Sequence, residues 1–313
     1  MPAWKILLTD GLEENGQIIL RKTADVSDLP AITADELLNT IGEFDALIVR
    51  GRTIVTPSVF SAAKKLKVVG RAGVGVDNID LEAARQHHVT VVNSPVATTV
   101  SVAELTLGLM LSVMRQIPRA DATMKADKWA KKEFEGGELY QKTLGIIGFG
   151  RIGAAVGKRA TAFGMSVLGY DPLIKPEIIK DLGGEPVSLD DLYTRSNMIT
   201  LHVPLTNDTR NSINAKIFSR MKTGVYLICA ARGGIIDETD LVAALDSGQV
   251  GGVGLDVFAT EPPGATALIT HPRVVVTPHI GAQTVEAQRR AADDIAHEVL
   301  TALQGDPLHW KVA

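Results

Sequence analysis

The chain has 313 residues, more than one hydrophobic core usually holds, so two domains are expected. Its 45% apolar and 22% charged composition is that of a folded globular protein, and a net charge of -4 offers no basic excess for nucleic acid or an anionic membrane. A single cysteine excludes an intramolecular disulfide and a cysteine-rich zinc site, which suits a reducing, cytoplasmic setting.

The start, MPAWKILLTD, lacks the layout of a signal peptide and reads as a first strand. Short β-branched runs then alternate with stretches of helical spacing, the pattern of a parallel sheet with crossover helices. The first strands are KILLTD (5–10), DALIVRG (45–51), KVVGRAG (67–73) and VTVVNSP (89–95), with helices in PSVFSAAKKL and DLEAARQHH. A longer helix is predicted from Thr99 to Gln116, closed by Pro118, and its small and apolar residues point to burial on more than one side. Its stretch VAELTLGLMLSVM contains Glu104 and is too short to cross a bilayer. Beyond a charged linker, KADKWAKKEFEGGEL, come the strands TLGIIGFG, SVLGYD, MITLHV, VYLICA, VGLDVF and VVVTP, which suit a doubly wound nucleotide-binding sheet. No strand follows the last helix, TVEAQRRAADDIAHEVLTALQG, so it is expected to pack back on the first unit. Residues 1–98 plus 284–313 then form one discontinuous domain, and 99–283 the other.

GIIGFGRIG places Gly148, Gly150 and Gly153 in GxGxxG spacing between a strand and a helix. The first glycine permits the turn, the second lets backbone approach a pyrophosphate, and the third allows close helix packing. Asp171 stands 18 residues past Gly153, at the end of SVLGYD. A carboxylate there accepts hydrogen bonds from ribose hydroxyls and repels a 2'-phosphate, which selects NAD over NADP. The plainer reading is three glycines in a turn and a loop-capping aspartate.

Ligands of open α/β sheets sit beyond the carboxyl ends of the strands, where this sequence has His202, Arg232, Asp256, Glu261 and His279. A hydride transfer to a 2-keto acid needs a cation for the anionic substrate and a proton donor for the developing alkoxide. Arg232 and His279 are the right types, and Glu261 is the carboxylate best placed to pair with the imidazole. Each alone has a plainer reading as a surface ion pair, a loop residue or a solvated charge; three complementary types at one sheet edge favour chemistry. His202 reads as structural or as a cofactor-side contact, and Asp256 as near the reacting end of the cofactor, in a hydrogen-bonding role as readily as a chemical one. His87, His88, His271, His297 and His309 lack metal-ligand spacing, so no metal is expected. In GRAGVGVDNID the run Gly73, Val74, Gly75 reads equally as a backbone nest for an anion or as a tight turn.

Through GRAGVGVDNID, GIIGFGRIG, GYDP, ARGGIIDE, GLDVFATEPP and TPHIGA the chain resembles the NAD-dependent D-2-hydroxyacid dehydrogenases over nearly its full length. The resemblance implies an α/β protein with a Rossmann-type NAD-binding domain inserted in a flavodoxin-like substrate domain. It implies catalysis by Arg232, Glu261 and His279, with Glu261 paired to the proton-transferring His279. Cofactor contacts are implied at Val74, Arg151, Ile152, Asp171, Val203, Ala230, Ala231, Arg232, Asp256, His279, Gly281 and Ala282, beside the glycine motif. Substrate contacts are expected at Arg50, Arg71, Gly73, Val74, Gly75, Arg232 and His279, with Arg50 placed to point from its strand end into the cleft. Segments such as VVGRAGVGVDNIDLEAA and SVAELTLGLMLSVMRQIPRA are similar to the branch that oxidises 3-phospho-D-glycerate to 3-phosphooxypyruvate at the entry to serine synthesis. Arg50, Arg52, Lys131 and Lys132 are the phosphate candidates, with the lysines read equally as solvated surface. Reduction of hydroxypyruvate or glyoxylate is the rival activity, and an NAD-sensing corepressor the rival class. The formate dehydrogenases are disfavoured because they carry Gln at the Glu261 position. The helix from Thr99 corresponds to the family's dimer-forming region, so a homodimer or homotetramer is expected. Cys229 departs from the family, which has Asn there, and no serine-binding regulatory domain is expected.

Overall fold

The computed structural model describes residues 4–313, so the first three residues of the MPAWKILLTD reading lie outside it. Two units are present, 1–98 with 282–313, and 99–281. In the first, strands β1 (Trp4–Leu8), β2 (Ala24–Asp28), β3 (Ala46–Val49), β4 (Val68–Arg71) and β5 (Thr90–Asn93) form a parallel sheet in the order β2-β1-β3-β4-β5. That is the flavodoxin-like order. Helices α1 (Glu14–Arg21), α2 (Ala34–Thr40), α3 (Pro57–Ala62) and α4 (Leu81–Gln86) make the crossovers.

The central strands are nearly continuous apolar runs because both faces are covered. Leu7, Leu47, Val69 and Val91 pack on Leu37, Val59, Phe60 and Ala83 of the crossover helices. Ile6, Ile48, Val68 and Val92 face the other way, onto Ala292, Ile295 and Val299. Those last residues belong to the final helix, Val285–Gln304, capped by Thr284 and ended at Gly305 in a left-handed conformation. The strand ADVSD (β2) lies outside the sequence expectation: it is an edge strand with one fully buried residue, Ala24.

The second unit opens with α5 (Thr99–Arg115). The predicted stop at Pro118 is corrected: Gln116 turns left-handed at φ +52°, and α6 (Ile117–Lys125) starts at once with Pro118 in its first turn. A missing N–H is no loss there. No single helix among the described residues is long and apolar enough to cross a membrane. The sheet has seven strands rather than six: β6 (Thr143–Ile147), β7 (Ser166–Tyr170), β8 (Glu185–Pro186), β9 (Met198–Leu201), β10 (Val225–Cys229), β11 (Val250–Leu255) and β12 (Val274–Val276). Its parallel order is β12-β11-β10-β9-β6-β7-β8, doubly wound, with the reversal between β6 and β9. The crossovers are α7 (Arg151–Ala162), α8 (Pro176–Asp181), α9 (Leu189–Arg195), α10 (Ala215–Phe218), α11 (Glu238–Asp246) and α12 (Ala267–Thr270); the final helix above is α13. Alternate strand residues again serve opposite faces. Leu144, Ile146, Met198 and Ile228 meet Met110 and Val113 of α5 and Val156 of α7, while Ile199, Leu201, Leu227 and Val253 meet Leu241 and Leu245 of α11.

Candidate active site

The ligand crevice of a doubly wound sheet opens where strand order reverses, here beyond β6 and β9. The chain leaves β6 at Gly148, with φ +91° and its N–H donated to the Tyr170 carbonyl at 2.8 Å. A Cβ on Gly148 would stand 2.5 Å from the His202 carbonyl oxygen and 2.9 Å from Val203 Cγ1, so Val203 flanks the turn. At Gly153 a Cβ would run into the Gly148 carbonyl oxygen. Gly150 differs: it is the N-cap of α7, and a Cβ there would meet no atom within 4 Å. Open space therefore fronts the helix N-terminus, where Arg151 and Ile152 carry first-turn N–H groups that helix geometry leaves without intrahelical acceptors.

Asp171 directly follows β7 and accepts the Phe149 N–H at Oδ2 and the Leu173 N–H at Oδ1, both at 2.9 Å. It caps the loop, and each oxygen keeps a second lone-pair direction for a ribose hydroxyl. The loop-capping and ribose readings are thus compatible, and the cradle fits a dinucleotide. His202 follows β9 with Nε2 3.0 Å from Thr200 Oγ1; desolvation pushes its imidazole down to about 4, so the ring is neutral near pH 7.

Beyond β10, Ala230 is buried and Ala231 half-buried, and Arg232 Nη1 donates to the Ala231 carbonyl at 2.7 Å. Cys229 is buried with Sγ 3.6 Å from the Arg232 carbonyl oxygen, and desolvation pushes its thiol up to about 11. A thiol that stays protonated is no nucleophile. Beyond β11, Glu261 Oε1 accepts the Phe258 N–H at 3.1 Å while Oε2 lies 2.7 Å from His279 Nδ1. The imidazole is 49% exposed, which leaves Nε2 open to a reactant.

His279 sits at φ +53°, an unusual conformation for a residue with a side chain. Asp256 imposes it. Fully buried, this carboxylate accepts Thr277 Oγ1 at 2.6 Å and the N–H groups of Ile280 and Gly281 at 2.8 Å, bracketing His279. Its oxygens, on the loop after β11, are engaged by the segment that follows β12. Gly281 is fastened further by Ser101 Oγ of α5, which donates to its carbonyl at 2.6 Å.

In the first unit the strand order reverses between β1 and β3. Asp10, directly after β1, accepts the backbone N–H groups of Arg50 (2.7 Å) and Thr53 (3.1 Å) and pairs with Arg52 at 3.2 Å. Arg52 also donates to the carbonyls of Thr9 and Ile32, so its charge is absorbed by the scaffold. Arg50 instead meets a neutral amide, Gln288 Oε1, whose own Nε2 holds the Ala282 carbonyl at 2.6 Å. Gly73, at φ +146°, gives its N–H to the Arg71 carbonyl at 2.8 Å, and the Arg71 guanidinium fills the place of its missing Cβ. The three-residue nest is corrected accordingly: the Gly73 N–H turns inward, and an anion at this turn would meet Val74 and Gly75. Lys131 and Lys132 lie exposed in a 3-10 turn of the second unit. Asp10, Glu238, Thr277 and Gln288 escaped the sequence reading. Each works by holding backbone or a neighbouring side chain, a role with no spacing signature.

Residues 107–281 match the sequence profile described as D-isomer specific 2-hydroxyacid dehydrogenase, NAD binding domain. The chain belongs to the D-isomer specific 2-hydroxyacid dehydrogenase family. D-3-phosphoglycerate dehydrogenase of Methanocaldococcus jannaschii is 48% identical over 303 residues, covering 96% of this chain and 58% of that protein. The chain thus spans little more than half the length of the curated relatives it matches. A glyoxylate reductase from Paecilomyes thermophila superposes with a TM-score of 0.91 at 30% identity, covering 100% of this chain and 99% of that one. D-lactate dehydrogenase from Aquifex aeolicus, complexed with NAD and lactic acid, superposes with a TM-score of 0.83 at 31% identity over 96% of both chains. As in other D-isomer specific 2-hydroxyacid dehydrogenases the second unit is a Rossmann-type NAD-binding domain, and NAD is the cofactor.

Proposed function

We propose that this family member oxidises 3-phospho-D-glycerate to 3-phosphooxypyruvate, the first step of serine biosynthesis, in the cytoplasm. The observation that carries the reading is the Glu261–His279 pair, 2.7 Å apart at the same sheet edge as Arg232, in a chain 48% identical to a D-3-phosphoglycerate dehydrogenase. Bound NAD supplies the acceptor for the hydride leaving C2. His279 Nε2 takes the hydroxyl proton, and Glu261 at Nδ1 fixes the tautomer and stabilises the imidazolium. Arg232 holds the carboxylate and the developing carbonyl by charge-assisted hydrogen bonds. Arg50, Arg71 and the Val74–Gly75 backbone are assigned to the substrate's anionic groups, and Arg50's neutral partner supports that assignment.

A reduction assay with NADH tests the substrate. Phosphooxypyruvate is expected to exceed hydroxypyruvate and glyoxylate in kcat/KM by about tenfold or more, because a site built for a phosphate leaves cations unpaired without it. The reverse order would install the second reading, a hydroxypyruvate or glyoxylate reductase, which the glyoxylate reductase likeness favours. Tight NADH binding with no turnover of any 2-keto acid would make the chain a binding protein of the corepressor kind.

The protein is also proposed to be a homodimer or homotetramer through α5 and α6. Nothing on α6 is buried, and Ile117, Met124 and nearby Trp129 are 49%, 55% and 79% exposed. A monomer at micromolar concentration in light scattering would remove this assignment.

A further inference from the structure

The loops after β10 and β11 carry Arg232 and Glu261, and two contacts fasten one loop to the other. Gly233 backs onto the Phe258 carbonyl so closely that a Cβ has no room. Glu238, the first residue of α11, reaches over to accept the Ala259 N–H at 2.7 Å. The preceding N–H, that of Phe258, goes to Glu261 Oε1 at 3.1 Å, and the other oxygen of Glu261 holds His279. Two consecutive peptide N–H groups thus end on two carboxylates, one at the start of α11 and one paired with the imidazole. Packing fixes this stretch only as far as Phe258, which is buried and backed by Gly233; Ala259, Thr260 and Glu261 are exposed. Beyond that contact hydrogen bonds hold it, and a charge-assisted one is the stronger kind.

We propose that Glu238 is a positioning residue for the acid–base pair, fixing the 258–259 peptides from the start of α11 and so the direction in which Glu261 meets His279. The inference rests on the dehydrogenase reading above. Glu238→Ala is expected to lower kcat about tenfold while KM for the keto acid and Kd for NADH stay within about twofold, because misaligning a reacting group costs rate rather than binding. Glu238→Gln, whose amide oxygen still accepts, restores most of the rate. Glu238→Asp withdraws the acceptor by one methylene and behaves as the alanine variant. In NMR spectra of the cofactor-free protein, the downfield Nδ1–H resonance of His279 moves in the alanine variant and stays in place in the glutamine variant. Wild-type kcat in both the alanine and aspartate variants, or a glutamine variant as slow as alanine, overturns the proposal. A wild-type protein inactive on every 2-keto acid instead defeats the dehydrogenase reading, and the His279 resonance still reports on Glu238.

Discussion

At the residue scale the candidate site separates groups that react from groups that hold them. His279→Ala removes the proposed proton acceptor but touches neither the glycine turn nor Asp171. Its kcat is expected to fall about 100- to 10,000-fold with Kd for NADH nearly unchanged, measured by steady-state kinetics and NADH fluorescence. His202 acts on stability. Desolvation lowers it from 6.5 to about 4, so as pH falls through that window the unfolded chain binds a proton that the folded chain does not. Stability present above pH 6.5 is therefore lost on the way down to about 4, by roughly 3 kcal/mol. Urea denaturation of His202→Gln is expected to lack that part of the acid loss; parallel pH dependence in the two proteins would refute it. The proposed reacting types could be picked out because Arg232, Glu261 and His279 stand at strand ends in complementary chemistry. Asp10 and Glu238 were illegible in their holding roles, because an acid that accepts backbone N–H groups looks in sequence like any solvated or ligand-facing acid, whereas for Asp256 the structure shows the hydrogen-bonding half of its reading.

At the element scale, strands buried on both faces announce themselves as apolar runs, and those of the central sheets were read with their ends shifted by a few residues. The VGLDVF strand shows why: its ladder runs from Val250 to Leu255, two glycines follow its first residue, and the apolar residues after Asp256 belong to the loop. Two edge strands carry no such signal: β2 is mostly polar and β8 is two residues ending in Pro186. The break between α5 and α6 falls at Gln116, a residue type that marks no turn. The glycine motif offers a sharper test of its element. Gly150 has a helical-side φ of -69° and open space before it, so Gly150→Ala is expected to fold with unchanged stability and lose NADH, its methyl standing where phosphate must approach. Gly153→Ala must push α7 off the Gly148 carbonyl, so it is expected to lose about 1–3 kcal/mol as well as NADH affinity. Equal stability in the two variants, read by thermal melting without cofactor, would contradict this division of labour.

At the scale of the whole molecule, the first unit is assembled from both ends of the chain. Helix α13 lays Ala292, Ile295, Ala296, Val299 and Leu303 under β1, β3, β4 and β5, and Gly70 of β4 admits it so closely that a Cβ would stand 2.6 Å from Val299 Cγ2. Helix α1 meets α13 at Gly16, where a Cβ would fall 2.7 Å from the Ala292 carbonyl oxygen and 2.9 Å from its Cβ. Backbone and a neighbouring methyl stand there, so the helices must separate to admit even one carbon. Gly16→Ala is therefore expected to destabilise the first unit by about 1–3 kcal/mol. The tryptophans allow the units to be followed separately. Trp4 and Trp310 lie half-buried in the first unit, while Trp129 of the second is 79% exposed and changes little on unfolding. In urea, the tryptophan midpoint of Gly16→Ala should drop while NADH affinity, a property of the 99–281 unit, stays at the wild-type value. A variant that loses NADH in step with its tryptophan transition would show that the two units fold as one cooperative body rather than as a cofactor domain set into a separately built partner.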